Sequence, residues 1–139
     1  MRAGRSTRAS STCWRPTACT STSMRRRCTP HWPRINGGII FLEDVAEHPY
    51  RIERCLLQLH QAGVLARQKA VVLGAFSDWK VSPLDRGYNM KTVVAHLRAV
   101  TETPVLTGLP FGHVATKVCL PVGRRVQLAV QGRDAFIGW

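Results

Sequence analysis

Two places in this sequence carry side chains whose type and setting could do chemistry. The first is Glu43-Asp44, which directly follows the apolar run Ile39-Ile40-Phe41-Leu42. Carboxylates at the C-terminal end of a buried strand are well placed to face a cleft at the edge of a sheet. The same pair also reads as solvated loop acids, or as a cap for the following helix. The second place is His113, inside Gly108-Leu109-Pro110-Phe111-Gly112-His113. Gly and Pro around an aromatic residue hold a loop in a defined shape. A histidine fixed in such a loop can work as a general base near neutral pH; a turn histidine bonded to backbone is the other reading.

The elements that must position these residues are legible from hydrophobic pattern. Residues 39–42 form a short continuous apolar run, the mark of a strand buried on both faces. Pro49 suits a helix start, and Ile52, Cys55, Leu56 and Leu59 then fall on one helical face that ends near Gly63. Ala70–Leu73 reads as a second buried strand. A loop with Pro83, Asp85 and Gly87 follows, then a second helix with Met90, Val93, Val94 and Leu97 on its apolar side. Val105-Leu106 gives a third strand leading into the histidine loop. Lys117–Leu120, the alternating Val126, Leu128 and Val130, and Ala135–Ile137 read as terminal strands joined by turns at Gly123 and Gly132. The order β-α-β-α-β-β-β-β implies an α/β domain, with two helices on a mixed sheet or partly closed barrel and the parallel strands first.

Composition narrows the function classes. The 139 residues suffice for one domain with its own core, and 45% are hydrophobic. No apolar run approaches the roughly 20 residues of a membrane-spanning helix, and no secretory h-region is present. The net charge of +12 raises nucleic acid as a partner, yet residues 1–34 carry eight arginines and no acid, while residues 35–139 carry a net of only +4. Residues 1–28 read in three ways: a targeting-type segment, a basic nucleic-acid-binding arm, or the product of a shifted reading frame or misplaced start. The abrupt change near Thr29-Pro30 favours the last, and all three predict no ordered structure there. Trp14 is the only aromatic in residues 1–31, which gives base stacking little support. The five cysteines include no CxxC pair, so neither a zinc site nor a disulfide framework is indicated, and a reducing cytoplasm is the simplest setting. No metal or other cofactor is called for.

Gly37-Gly38-Ile39-Ile40-Phe41-Leu42-Glu43-Asp44-Val45, continuing through Glu47-His48-Pro49-Tyr50-Arg51-Ile52-Glu53-Arg54, resembles the strand-to-helix signature of the LD-carboxypeptidases, also called muramoyl-tetrapeptide carboxypeptidases. Leu106-Thr107-Gly108-Leu109-Pro110-Phe111-Gly112-His113, followed by Lys117, resembles their histidine motif, and Ser82–Tyr88 is similar to the linking segment between the two. The resemblance runs from about Thr29 to the C-terminus. It implies a C-terminal domain over residues 29–139, of the swivelling β/β/α type. It also implies a Ser-Glu-His triad with Glu43 as the acid and His113 as the base. The implied substrate is a peptidoglycan tetrapeptide that loses its terminal D-alanine in cytoplasmic cell-wall recycling, without a metal. A homodimer follows if the family's association carries over.

The family's serine lies in a preceding domain with no counterpart in this sequence. Ser77, in Gly74-Ala75-Phe76-Ser77-Asp78, lacks the Gly-x-Ser-x-Gly pattern of a nucleophile elbow and reads as a turn or cap residue. The chain alone is therefore expected to be inert. The remaining candidates take structural readings: Cys55 and Cys119 packed, His60 and His96 solvated on the helices' polar sides, and His31 and His48 in loops beside prolines. Tyr50 and Arg51 could line a substrate cleft or pack at a helix start.

Overall fold

The computed structural model describes residues 35–139 and the backbone of residues 7–13. Six strands form one sheet: β1 (Thr7–Cys13), β2 (Gly38–Val45), β3 (Ala70–Ser77), β4 (Val105–Thr107), β5 (Arg125–Gln131) and β6 (Asp134–Gly138). Helices α1 (Pro49–Gln61) and α2 (Met90–Val100) connect β2 to β3 and β3 to β4. The strand order is β4-β3-β2-β1-β5-β6, with β1 to β4 parallel and β5 and β6 antiparallel.

The expected partly closed barrel is not found. The sheet is open, with β4 and β6 at its two edges. One reason lies in residues 117–120, read from sequence as a strand. They form a loop, held where the Val118 N–H donates to the Pro110 carbonyl at 2.8 Å. A second difference is β1, in a stretch given no element by its side-chain pattern. Its backbone pairs with β2 on one side and β5 on the other. Backbone hydrogen bonding of this kind needs no apolar period, so it leaves no trace in a hydrophobicity pattern. Residues 1–6 and 14–34, including most of the arginine-rich stretch, Cys19, Cys28, His31 and the Thr29-Pro30 boundary, lie outside the described residues.

The continuous apolar runs of β2 and β3 are explained by burial on both faces. Ile40, Leu42, Val71 and Leu73 point to the helices and meet Ile52, Leu56 and Leu59 of α1 and Val93 and Leu97 of α2. Ile39, Phe41, Ala70 and Val72 point the other way and meet Val126 and Leu128 of β5. Each fully buried aliphatic side chain contributes about 1.5–3 kcal/mol, so these two layers fix the sheet. The buried Gln68 aligns the start of β2: its Oε1 accepts from Gly38 N–H at 3.2 Å and its Nε2 donates to the Ile35 and Val64 carbonyls. α1 starts as its sequence dictates, with Pro49 in the first turn and His48 as cap. Asn89 caps α2 by accepting from Lys91 N–H at 2.9 Å.

Candidate active site

Glu43 lies inside β2, near its C-terminal end, at an irregularity in the pairing with β3. Leu42 pairs with Leu73 but Asp44 pairs with Phe76, so Glu43 alone faces Gly74 and Ala75. This is a β-bulge on β3, which locally re-aims side chains. The loop after β4 folds back over the bulge. Leu109 N–H donates to the Leu73 carbonyl at 3.4 Å, and Ala75 N–H donates to the Phe111 carbonyl at 2.8 Å. The Phe111 ring stands edge-on to Phe41, with centroids 5.2 Å apart and planes at 84°.

This docking brings the two sequence-predicted site residues together across 70 positions. His113 Nδ1 lies 3.0 Å from Glu43 Oε2. The Glu43 side chain is 12% exposed and that of His113 is 54% exposed. A largely sheltered carboxylate thus holds one ring nitrogen while solvent reaches the imidazole. Gly112 makes the contact sterically feasible. Its φ is +117°, and a Cβ there would lie 2.9 Å from Glu43 Cβ and 3.0 Å from Oε2. Asp44, the other half of the acidic pair, is turned into a local bond, accepting from Val45 N–H at 2.7 Å. Burial, more than any other cause, pushes its carboxyl up from the ordinary range.

Other polar groups have partners that the sequence did not disclose. His48 caps α1, with Nδ1 accepting from Tyr50 N–H at 3.4 Å, and its Nε2 lies 3.1 Å from Asp85 Oδ1. Asp85 also accepts from Ser82 N–H at 2.7 Å, and this bond first, then His48, holds its carboxyl below the usual range. Ser-x-x-Asp at 82–85 is the one sequence signal that could have announced this anchor, as a capping box. His96, read as solvated, is about half exposed but is not free: its Nδ1 lies 2.6 Å from Glu53 Oε1, while the Tyr88 hydroxyl donates to Glu53 Oε2 at 2.5 Å. His60 departs from the solvated reading, because its Nδ1 is buried without a hydrogen-bond partner among the described residues. Cys55 is half-buried on α1, but Cys119 is an exposed free thiol, since the strand expected to pack it is a loop. Tyr50 is 55% exposed, and Arg51, in the first turn of α1, pairs at 2.8 Å with Glu47, just ahead of the helix cap. Ser77, read as a turn or cap residue, is instead the last residue of β3, paired with Val45 of β2, and its Oγ donates to Asp78 Oδ2 at 3.4 Å. Among the described residues, no group of His, Cys, Asp and Glu is arranged to hold a metal ion. No described helix is long and apolar enough to cross a membrane.

A family model described as the LD-carboxypeptidase C-terminal domain matches residues 17–128. The chain belongs to this family. The match begins upstream of Thr29, where the resemblance in the sequence fades. A crystal structure of muramoyltetrapeptide carboxypeptidase from Oxalobacter formigenes superposes with a TM-score of 0.82 at 41% identity, covering 97% of this chain and 45% of that one. The murein tetrapeptide carboxypeptidase of Pseudomonas aeruginosa is 33% identical over 92 residues, which is 66% of this chain and 29% of that protein. A Synechocystis protein with a carboxypeptidase name is 32% identical over 96 residues, 69% of this chain and 32% of its own length. The chain therefore spans about a third of the length of these curated carboxypeptidase relatives. The family match over residues 17–128 favours a peptidase domain over a basic nucleic-acid module.

Proposed function

We propose that this chain supplies the acid and the base of a serine-type LD-carboxypeptidase acting on murein tetrapeptides, with Glu43 and His113 in those roles. The observation that carries the reading is the 3.0 Å approach of His113 Nδ1 to a sheltered Glu43 oxygen, with the imidazole otherwise open to solvent. With Nδ1–H donating to Glu43, Nε2 keeps its lone pair and can take the proton of a serine hydroxyl. The serine oxygen then attacks the carbonyl carbon of the bond to the terminal D-alanine. His113 returns the proton to the departing amine, and water releases the acyl group by the same route in reverse. Glu43 fixes the tautomer and stabilises the imidazolium formed on the way.

The nucleophile lies outside this machinery. Of the serine side chains described, Ser77 is bonded to Asp78, and Ser82 accepts from Leu84 N–H at 3.2 Å. The 139-residue polypeptide alone is accordingly expected to release no D-alanine. The reading also places the work in the cytoplasm, in cell-wall recycling, with no metal. The test is a chimaera in which residues 35–139 replace the matching part of the Oxalobacter enzyme. The chimaera should release D-alanine from the tetrapeptide, and His113→Ala should abolish that release. Activity that survives His113→Ala removes the assignment of the base.

A further inference from the structure

We propose that Gly74, on a strand that gives no side chain to the Glu43–His113 pair, is a positioning residue that sets where His113 stands. The inference rests on the reading of His113 as the base. His113 sits on a loop, half exposed, and loops are the mobile parts of a fold. Something must hold the imidazole within hydrogen-bonding distance of Glu43, and the backbone contacts point to β3. The bulge leaves the Ala75 N–H outside the regular ladder with β2, and the Phe111 carbonyl satisfies it at 2.8 Å. That carbonyl can come so close only because residue 74 has no side chain. A Cβ on Gly74 would lie 2.6 Å from the Phe111 oxygen, 3.3 Å from the Phe111 carbonyl carbon and 3.4 Å from the Leu42 oxygen. All three atoms are backbone, so no rotamer change can relieve the contact.

Gly74 is unlike Gly112 in one respect that makes it a clean probe. Gly112 has a positive φ, which disfavours any side chain. Gly74 has none, and strand conformation suits alanine at least as well as glycine. The demand at 74 is for space alone, and the space is filled by the loop that carries His113. An added methyl group must therefore displace Phe111, break the Ala75 bond and carry His113, two residues further on, away from Glu43.

The experiment reads the side-chain nitrogens of the full 139-residue chain by 15N NMR at neutral pH. Wild-type His113 should be in the Nδ1–H tautomer imposed by Glu43, and Glu43→Ala should shift it to the Nε2–H form of an unconstrained imidazole. Gly74→Ala should reproduce the Glu43→Ala signals at His113 while leaving those of His96 unchanged. His96 is bound to Glu53 elsewhere in the molecule and reports that the fold is intact. A merely structural glycine would lower the melting temperature and leave the His113 tautomer alone. That outcome, with His96 signals intact, overturns the proposal. If Gly74→Ala fails to fold, replacing the Ala75 amide by an ester removes the N–H and adds no bulk. It should likewise release His113, and an unchanged His113 tautomer there overturns the proposal. The outcome is separable from the catalytic reading. A tautomer that follows Gly74 in a chimaera whose activity ignores His113→Ala would spare the positioning role and remove the catalytic one.

Discussion

Among the described residues there are three carboxylate–histidine pairs, and two of them, both made through Nδ1, have nearly the same local chemistry in different settings. Glu43–His113 closes at 3.0 Å and Glu53–His96 at 2.6 Å, each through Nδ1, and each histidine side chain is about half exposed. By distance alone the second is the better pair. The surroundings separate them. Glu53 lies on α1 and uses its second oxygen to accept from Tyr88, so that α1, α2 and the segment before α2 are tied at one point. Glu43 lies at the C-terminal end of a parallel strand, and its histidine arrives on a loop seated by backbone contacts and two glycines. The first arrangement ties secondary structure together. The second places an accessible imidazole at the edge of a sheet, where ligands of open α/β sheets bind. A short acid–histidine contact therefore does not identify a site until the elements that present it are known.

The largest expected effect tests this division directly. In the chimaera, Glu43→Gln should lower kcat/KM roughly ten-thousand-fold, the size expected when the acid of a triad no longer fixes the tautomer. Glu53→Gln should leave kcat/KM within about threefold of the parent, measured as D-alanine release. Equal losses at both positions would erase the distinction. Stability should rank them the other way. Glu53→Ala removes a carboxylate with two hydrogen-bond donors, and on a partly exposed group that should cost about 1–2 kcal/mol in urea unfolding. Glu43→Ala removes one contact to an exposed ring and should cost about half as much.

pH sharpens the same contrast. Tyr88 first, and then His96, hold the Glu53 carboxyl below its ordinary value of 4.5. The stability this contributes is fully present above pH 4.5 and is lost as the pH falls through the lowered value. Burial first, and then Glu53, push the Tyr88 hydroxyl above its ordinary 10.0, so its contribution is fully present below pH 10.0 and is lost as the pH rises through the raised value. Tyr88→Phe should flatten both flanks of the stability profile by a few tenths to about 1 kcal/mol. A mutant whose profile runs parallel to that of the wild type would show that the tie does not titrate.

Much of this was legible before any coordinates. The presence of α1 and α2 and of strands β2 to β6 follows from apolar periodicity, and the pairing of Glu43 with His113 follows from the family resemblance that two motifs carry. Those signals are written in side chains that one element buries or presents. What escaped is written between elements. Glu53 and His96 each look like ordinary polar positions on a helix, and only the packing of α1 on α2 makes them partners. Residues 117–120 carry the short apolar run Val118-Cys119-Leu120 that reads as a strand, yet they form a loop, and Leu120 packs on the face carrying Phe41 and Leu128. The bulge at Gly74 is invisible in a run that reads Ala-Val-Val-Leu-Gly-Ala-Phe, because strand periodicity continues on either side of it.

The smallest expected effect concerns the neighbour that shares the acidic motif with Glu43. Burial first raises the Asp44 carboxyl, with further contributions from Glu47 and Glu43, against the lowering influence of Val45 N–H and His113. Its charge is thus a cost to the folded state above the raised value, and the cost fades as the pH falls through it toward 3.8. Asparagine keeps an oxygen that can accept from Val45 N–H, removes the charge beside two other carboxylates, and adds no atom. Asp44→Asn should therefore raise stability at neutral pH by at most about 0.5 kcal/mol, with the gain vanishing below pH 4. In the chimaera it should change kcat/KM less than about threefold, because the hydrogen bond to the imidazole is made by Glu43, while Asp44 accepts from Val45 N–H. A loss of stability beyond about 1 kcal/mol, or a loss of activity comparable to Glu43→Gln, would mean that the two acids act as a unit rather than as one functional and one tolerated charge.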